Sequence, residues 1–135
     1  MGGRAGGRAA DHLALLLARA SGALLADADE RLGHVGLDHR AYALLSIVDR
    51  DDPGSQQEIA RRLGKAPPFV VAAIDELEAR GLVARTRDPD DRRRSRVTLT
   101  AAGRRTLRRA HRLADEAVAA LLPGLDDGEL DALRG

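Results

Sequence analysis

The chain has 135 residues, the length of one ordinary domain, and its 44% hydrophobic and 32% charged residues exclude a disordered protein. It holds no Cys, which excludes disulfide frameworks, zinc–thiolate sites and thiol redox switches. The near-neutral total of +1 conceals a split: residues 85–112 carry 11 Arg against 3 acids (net +8), the remainder 11 bases against 18 acids (net −7), so a localised polyanion contact is expected.

Residues 1–10 are Gly, Arg and Ala without a period, and are expected to form a flexible arm. They show no apolar core of a secretory leader. The longest apolar run, Leu13 to Ala18, is six residues, short of a membrane span. A cytoplasmic protein without membrane contact is the expectation.

Residues 11–32 read as a helix capped by Asp11, with Leu13, Leu16, Leu17, Leu24, Leu25 and Leu32 at mixed helical spacing. Leu15 widens the apolar surface, which therefore asks for two partners, and a second subunit is one candidate. Gly33 and Gly36 interrupt the chain. Asp38 then caps a second helix with Ala41, Leu44, Leu45 and Val48 on one side. Asp51-Asp52-Pro53-Gly54 reads as a turn.

Ser55-Gln56-Gln57-Glu58 is a capping box opening a short helix that buries Ile59, Ala60 and Leu63 and stops at Gly64. A fourth helix runs from about Pro67 to Arg80, with Val70, Ala73, Ile74 and Leu77 facing the core and Gly81 as its stop. Leu82–Arg87 and Arg96–Thr100 read as two strands around the turn Asp88-Pro89-Asp90-Asp91, a β-hairpin. Thr100 caps a long helix over roughly 101–122, which Pro123-Gly124 ends. A short helix from Asp126 or Asp127 to about Leu133 follows.

Two short helices joined by about three residues, then a basic hairpin, is the order of a winged helix-turn-helix. The helix from Ser55 braces, the helix from Pro67 fits a major groove, and the hairpin reaches the backbone or a minor groove. Arg92, Arg93 and Arg94 at its tip, with Arg87 and Arg96 on its strands, are the candidate DNA contacts, since guanidinium groups suit phosphates and narrow minor grooves. The only aromatics, Tyr42 and Phe69, give little stacking capacity, which argues against single-stranded nucleic acid or RNA.

These residues resemble the MarR family of bacterial regulators. Asp91-x-Arg93 followed by Val97-x-Leu99-Thr100 and Gly103 is similar to the family's wing. Glu58-Ile59-Ala60-x-x-Leu63-Gly64 and Leu77–Val83 also fit, and the likeness covers about residues 11–133. The resemblance implies one MarR-like domain over 11–135, mainly α with a small β-hairpin. Its winged helix-turn-helix would occupy 37–100, and a helical dimerisation region 11–36 and 101–135. It implies a homodimer on a pseudo-palindromic double-stranded operator, usually a repressor, often released by a small aromatic or phenolic ligand.

It also implies roles. Arg93 matches the wing arginine, Asp91 the wing acid that supports the turn, and Asp75 an acid that pairs with a wing Arg. Ser55 and Gln56 match a phosphate-facing helix start. The groove-facing surface is completed by Lys65, Pro68, Phe69, Val71 and Ala72. Here the chain departs from the family, whose members often place Ser, Thr and Arg at several of these positions. Apolar groups touch thymine methyls but cannot make bidentate base contacts, so readout is expected to be weak or methyl-based unless Phe69 and Val71 pack inside. The ligand cleft is expected near Arg19, His39, Arg40 and Tyr42.

Two other readings stay open. One is a winged-helix adaptor that binds a protein partner through the same surface. The other is an enzyme, which is not expected because no nucleophile–base pair, metal spacing or phosphate loop is visible. His34 and His39 flank Asp38, but their spacing across a loop–helix junction is not a zinc pattern. No catalytic residue, metal or cofactor is assigned.

Overall fold

A computed structural model describes residues 3–51, 54–121 and 128. In chain order the elements are α1 (Gly3–Leu32), a 3₁₀ turn (Gly33–Val35), α2 (His39–Arg50), β1 (Gly54–Ser55), α3 (Gln56–Leu63), α4 (Pro67–Ala79), β2 (Val83–Arg87), β3 (Ser95–Leu99) and α5 (Ala101–Leu121). The fold is mainly helical with one small antiparallel sheet, a winged helix. The short helix expected at 126–133 lies outside the described residues, residue 128 apart.

The first helix begins at Gly3 rather than at Asp11, so residues 3–10 are helical and not a separate irregular arm. The physical reason is propagation. Once residues 11–32 form a helix, each added residue gains a hydrogen bond without a new nucleus, and Arg4, Ala5, Arg8, Ala9 and Ala10 are good helix formers with no Pro among them. Residues 7–23 are exposed throughout, and among the described residues of this helix only Ala28 and Leu32 are buried, beside a partly buried Leu24. The stretch Gly7–Val35 is long and apolar enough to cross a membrane by length and composition. Contiguous apolar runs did not reveal this, because Arg19 divides the leucines. Arg8, Asp11, Arg19, Asp27, Asp29 and Glu30 are spread along it, and charges at a bilayer centre cost about 2.5–3.5 kcal/mol each. The stretch is therefore a helix of the fold and not a membrane element.

Caps form where the sequence places them. The Asp38 carboxylate accepts the Ala41 N–H at 2.8 Å, and the Ser55 hydroxyl accepts the Glu58 N–H at 3.1 Å. The reciprocal half of the Ser55 box is replaced, since the Glu58 carboxylate turns outward to Arg61 and Arg62. The Thr100 hydroxyl accepts the Gly103 N–H at 3.0 Å and donates to the Gly81 carbonyl at 2.6 Å, tying the start of α5 to the end of α4. Gly64 closes α3 with φ +61°, a left-handed conformation that side chains with a Cβ rarely adopt.

The sheet order is β1-β3-β2. The hairpin register pairs Val83 with Leu99, Arg85 with Val97 and Arg87 with Ser95. The third strand, β1, pairs Gly54 with Val97 and has only two residues, too few to show a period in the sequence. Val83, Val97 and Leu99 turn inward onto a core of Leu44, Leu45, Val48, Ile59, Val70, Ile74, Leu77 and Leu107. Burial of each such side chain contributes roughly 1.5–3 kcal/mol. The core thus fuses α2, α3, α4 and the sheet into one unit, from which α1 and α5 extend.

Candidate nucleic-acid interface

The wing is a hydrogen-bonded turn carrying exposed cations. Asp88 accepts the Asp90 N–H at 2.9 Å, and its own N–H donates to the Arg94 carbonyl at 3.0 Å. Asp91 accepts the Arg93 N–H at 2.9 Å. The bonds to the Asp88 and Asp91 carboxylates are side-chain-to-backbone bonds of the Asx-turn kind, and the Asp88–Arg94 bond is backbone to backbone. Asp91 thus supports the turn. The Asp90 N–H, foremost, and the Arg96 guanidinium hold the Asp88 carboxyl below its usual range.

The five wing arginines are not equivalent. Arg96 is paired to Asp88 at 3.3 Å, and Arg94 is loosely paired to Asp91 at 3.6 Å. Among the described residues, no ion pair engages the side chains of Arg87, Arg92 and Arg93, all exposed. These three project full charge from a fixed backbone.

Arg85 ties the site together. Its guanidinium pairs with Asp75 and with Glu78 at 3.2 Å, donates to Gln56 Oε1 at 3.1 Å and reaches the Val71 carbonyl at 3.3 Å. Its backbone N–H adds a bond to Glu78 Oε2 at 2.9 Å. One side chain therefore joins β2 to α3 and α4. Asp75 does pair with an arginine of the wing strands, and that arginine is Arg85, which sequence reasoning did not single out. A signal was present. Arg85 shares its strand face with the inward-pointing Val83, so by the period of two it needed acidic partners. Gln56 is correspondingly a buttress through its oxygen, with its amide N–H₂ left over.

On α4, Phe69 is 74% exposed and Val71 40%, so neither packs inside. Pro68, Ala72 and Asp75 are exposed beside them, opposite the buried Val70, Ile74 and Leu77. Lys65 lies exposed in the turn just before this helix.

A cleft of about 880 Å³ opens between the start of α2 and α4. His39 and Arg40 line it, as do Lys65, Glu76, Arg80 and the apolar Leu37, Leu44, Leu63, Phe69, Val70 and Leu77. The expected Arg19 and Tyr42 do not. Arg19 lies on the exposed stretch of α1. Tyr42 is two residues from the cleft-facing Arg40, about 200° round the helix, and faces α5 instead. There its hydroxyl meets His111 Nδ1 at 2.8 Å, with the rings edge to face at 5.5 Å. His39 is held from α1, where Asp29 meets its ring Nδ1 at 2.8 Å and accepts its backbone N–H at 2.6 Å. That backbone bond is the main reason the Asp29 carboxyl lies below its usual range.

A bracing helix, a short turn, a second helix with an exposed outer face and a basic hairpin locked to both define a winged helix-turn-helix protein. The model of the MarR family matches residues 35–94. A MarR-family transcriptional regulator from Rhodococcus sp. RHA1 is 33% identical, with 93% of this chain and 89% of that one covered at a TM-score of 0.82. CouR from Rhodococcus jostii RHA1, in its crystal structure bound to p-coumaroyl-CoA, is 34% identical over 93% and 88% of the two chains, with a TM-score of 0.80. The transcriptional repressor CouR bound to a 23-mer DNA duplex matches at 35% identity over 95% and 91%, also at 0.80. The chain belongs to the MarR family of transcriptional regulators.

Proposed function

We propose that this chain is a cytoplasmic, dimeric repressor that binds double-stranded DNA and is released by a small aromatic or phenolic ligand. The observation that carries the reading is the wing: Arg92 and Arg93 stand free on a turn that Asp88 and Asp91 lock, and Arg87 stands free at the end of the strand leading into it. Unpaired guanidinium groups on a fixed backbone contact phosphates without an ordering cost in the turn. Arg94, Arg96, Ser55 and Lys65 add to this surface. Leu13, Leu16, Leu17 and Leu25, each at least 41% exposed, support a second copy covering α1.

Support for the ligand comes from the cleft. It combines an apolar wall with Arg40, Lys65 and Arg80, a lining suited to an anion with an aromatic or acyl body. CouR, crystallised once with p-coumaroyl-CoA and once with DNA, is consistent with this reading. Because Phe69 and Ala72 belong to both the cleft and α4, an occupant there biases the arrangement of the helix that faces DNA.

The test is fluorescence anisotropy of a labelled duplex from the gene's upstream region, at two salt concentrations, with scrambled duplex as competitor. Tight binding that resists the competitor supports a sequence-specific regulator. Equal displacement by scrambled DNA would reduce the surface to backbone affinity and overturn the operator-binding reading.

A further inference from the structure

The outer face of α4 has an unusual inventory. Residues 67–79 contain no Arg, Lys, Ser, Thr, Asn or Gln, so no side chain of this helix can donate a hydrogen bond to a base edge. Its polar residues are Asp75, Glu76 and Glu78. Asp75 and Glu78 are engaged by Arg85, and Glu76 turns to the cleft. Apart from Glu76, which borders the cleft as Phe69 and Ala72 also do, the exposed residues that Arg85 does not engage are apolar: Pro68, Val71 and Ala72 on the stripe away from the core, with Phe69 on its flank. Yet the surroundings are made for a polyanion, with Lys65 before the helix and Arg87, Arg92 and Arg93 beyond it on the wing. The ion pairs of Arg85 also neutralise two acids that would otherwise repel phosphate.

In a major groove, the one apolar feature a base pair presents is the 5-methyl group of thymine. We propose that Pro68, Val71, Ala72 and Phe69 select DNA by packing against thymine methyls, so that specificity comes from methyl burial and affinity from the flanking cations. This rests on the DNA-binding reading above. Val71 and Ala72 are central, since they lie one turn from both Pro68 and Asp75 on the outer stripe. Phe69 reaches a neighbouring base step.

The experiment starts by selecting a binding duplex from a random-sequence pool with the full chain. Thymines inside the protected bases are then replaced by deoxyuridine, which removes the methyl and keeps every hydrogen-bonding group. Loss of affinity by about fourfold per contacted methyl is expected, the factor that burial of one such group gives. The salt slope stays the same, because no phosphate contact is lost. Uracils outside the protected bases leave affinity unchanged. In the double variant Phe69→Ala, Val71→Ala the affinity ratio between the thymine and uracil duplexes falls to about one, whereas the unaltered chain keeps it at about fourfold per contacted methyl. Equal affinity for the thymine and uracil duplexes, with a steep salt slope that still depends on Arg93, overturns methyl reading and leaves DNA binding standing. If no duplex is enriched at any salt concentration, and a protein partner occupies the Phe69 face instead, the DNA-binding reading and this proposal fall together.

Discussion

The Arg85 guanidinium on β2 pairs with the Asp75 carboxylate on α4, across ten residues of chain, while the same group holds Gln56 on α3. Through Arg85 the angle between α4 and the wing is set by hydrogen bonds as well as by apolar packing. Arg85→Met removes the cation and leaves Asp75 and Glu78 with unbalanced charge. Loss of roughly 1–3 kcal/mol is expected, on the scale of hydrogen bonds to charged groups. Urea unfolding of the variant checks this. A double variant with Asp75→Asn should recover part of the loss if the pair is coupled.

Gly103 on α5 sits against the Leu82 carbonyl. A Cβ there would lie 1.9 Å from the Leu82 oxygen, a backbone atom that cannot swing aside. Gly103→Ala therefore forces α5 away from the hairpin. Overpacking of this kind costs about 3 kcal/mol. A fall in melting temperature, with DNA affinity impaired more than secondary structure, is the expected result.

Within the wing, Arg93 is free and Arg96 is paired to Asp88. Arg93→Ala is expected to weaken binding to all sequences alike. It should reduce the slope of log affinity against log salt by about 0.9 for one lost phosphate contact. A variant that binds like the unaltered chain across the salt series would remove Arg93 from the interface.

The Glu58 carboxyl is drawn from the ordinary 4.5 down to about 2, first by hydrogen bonds from Arg61 and then by those from Arg62. A depressed carboxyl pKa stabilises the fold above pH 4.5, where the unfolded chain is also ionised, and that contribution is lost as pH falls toward 2. The group is exposed, so salt screens the effect. Carboxyl-carbon NMR titration should place the Glu58 midpoint near 2, and Glu58→Gln should flatten the acid limb of the stability curve.

Asp38 caps α2, the helix whose first turns form one wall of the cleft. Asp38→Ala should cost about 1 kcal/mol through the unsatisfied Ala41 N–H. Asp38→Asn should recover most of it, as a thermal melt of the three proteins would show.

The helices α2 to α5 and the hairpin β2–β3 were legible because their signals are local. Asp38, Ser55 and Thr100 cap the helices that follow them, and the spacing of Val70, Ile74 and Leu77 identifies the buried side of α4. A cap or a helical face is decided within about seven residues, so one stretch of sequence contains all the physics. The wing turn was legible for the same reason, since Asp91 bonds a neighbour two residues on.

Other features depended on partners far along the chain. The strand β1 exists only because Val97 lies opposite Gly54. Arg85 meets Gln56 at a separation of 29 residues, and Tyr42 meets His111 at 69. The cleft arises where the start of α2 faces α4, which left Arg40 inside and Tyr42 outside. Composition, spacing and charge thus determined a winged helix with a basic wing and its helical faces, because those depend on neighbours along the backbone. Which arginine is structural, which stand free and which apolar side chains stay uncovered on α4 were decided only by packing. Ion pairing and burial depend on distance in space, and the folded chain brings together groups that the sequence keeps apart.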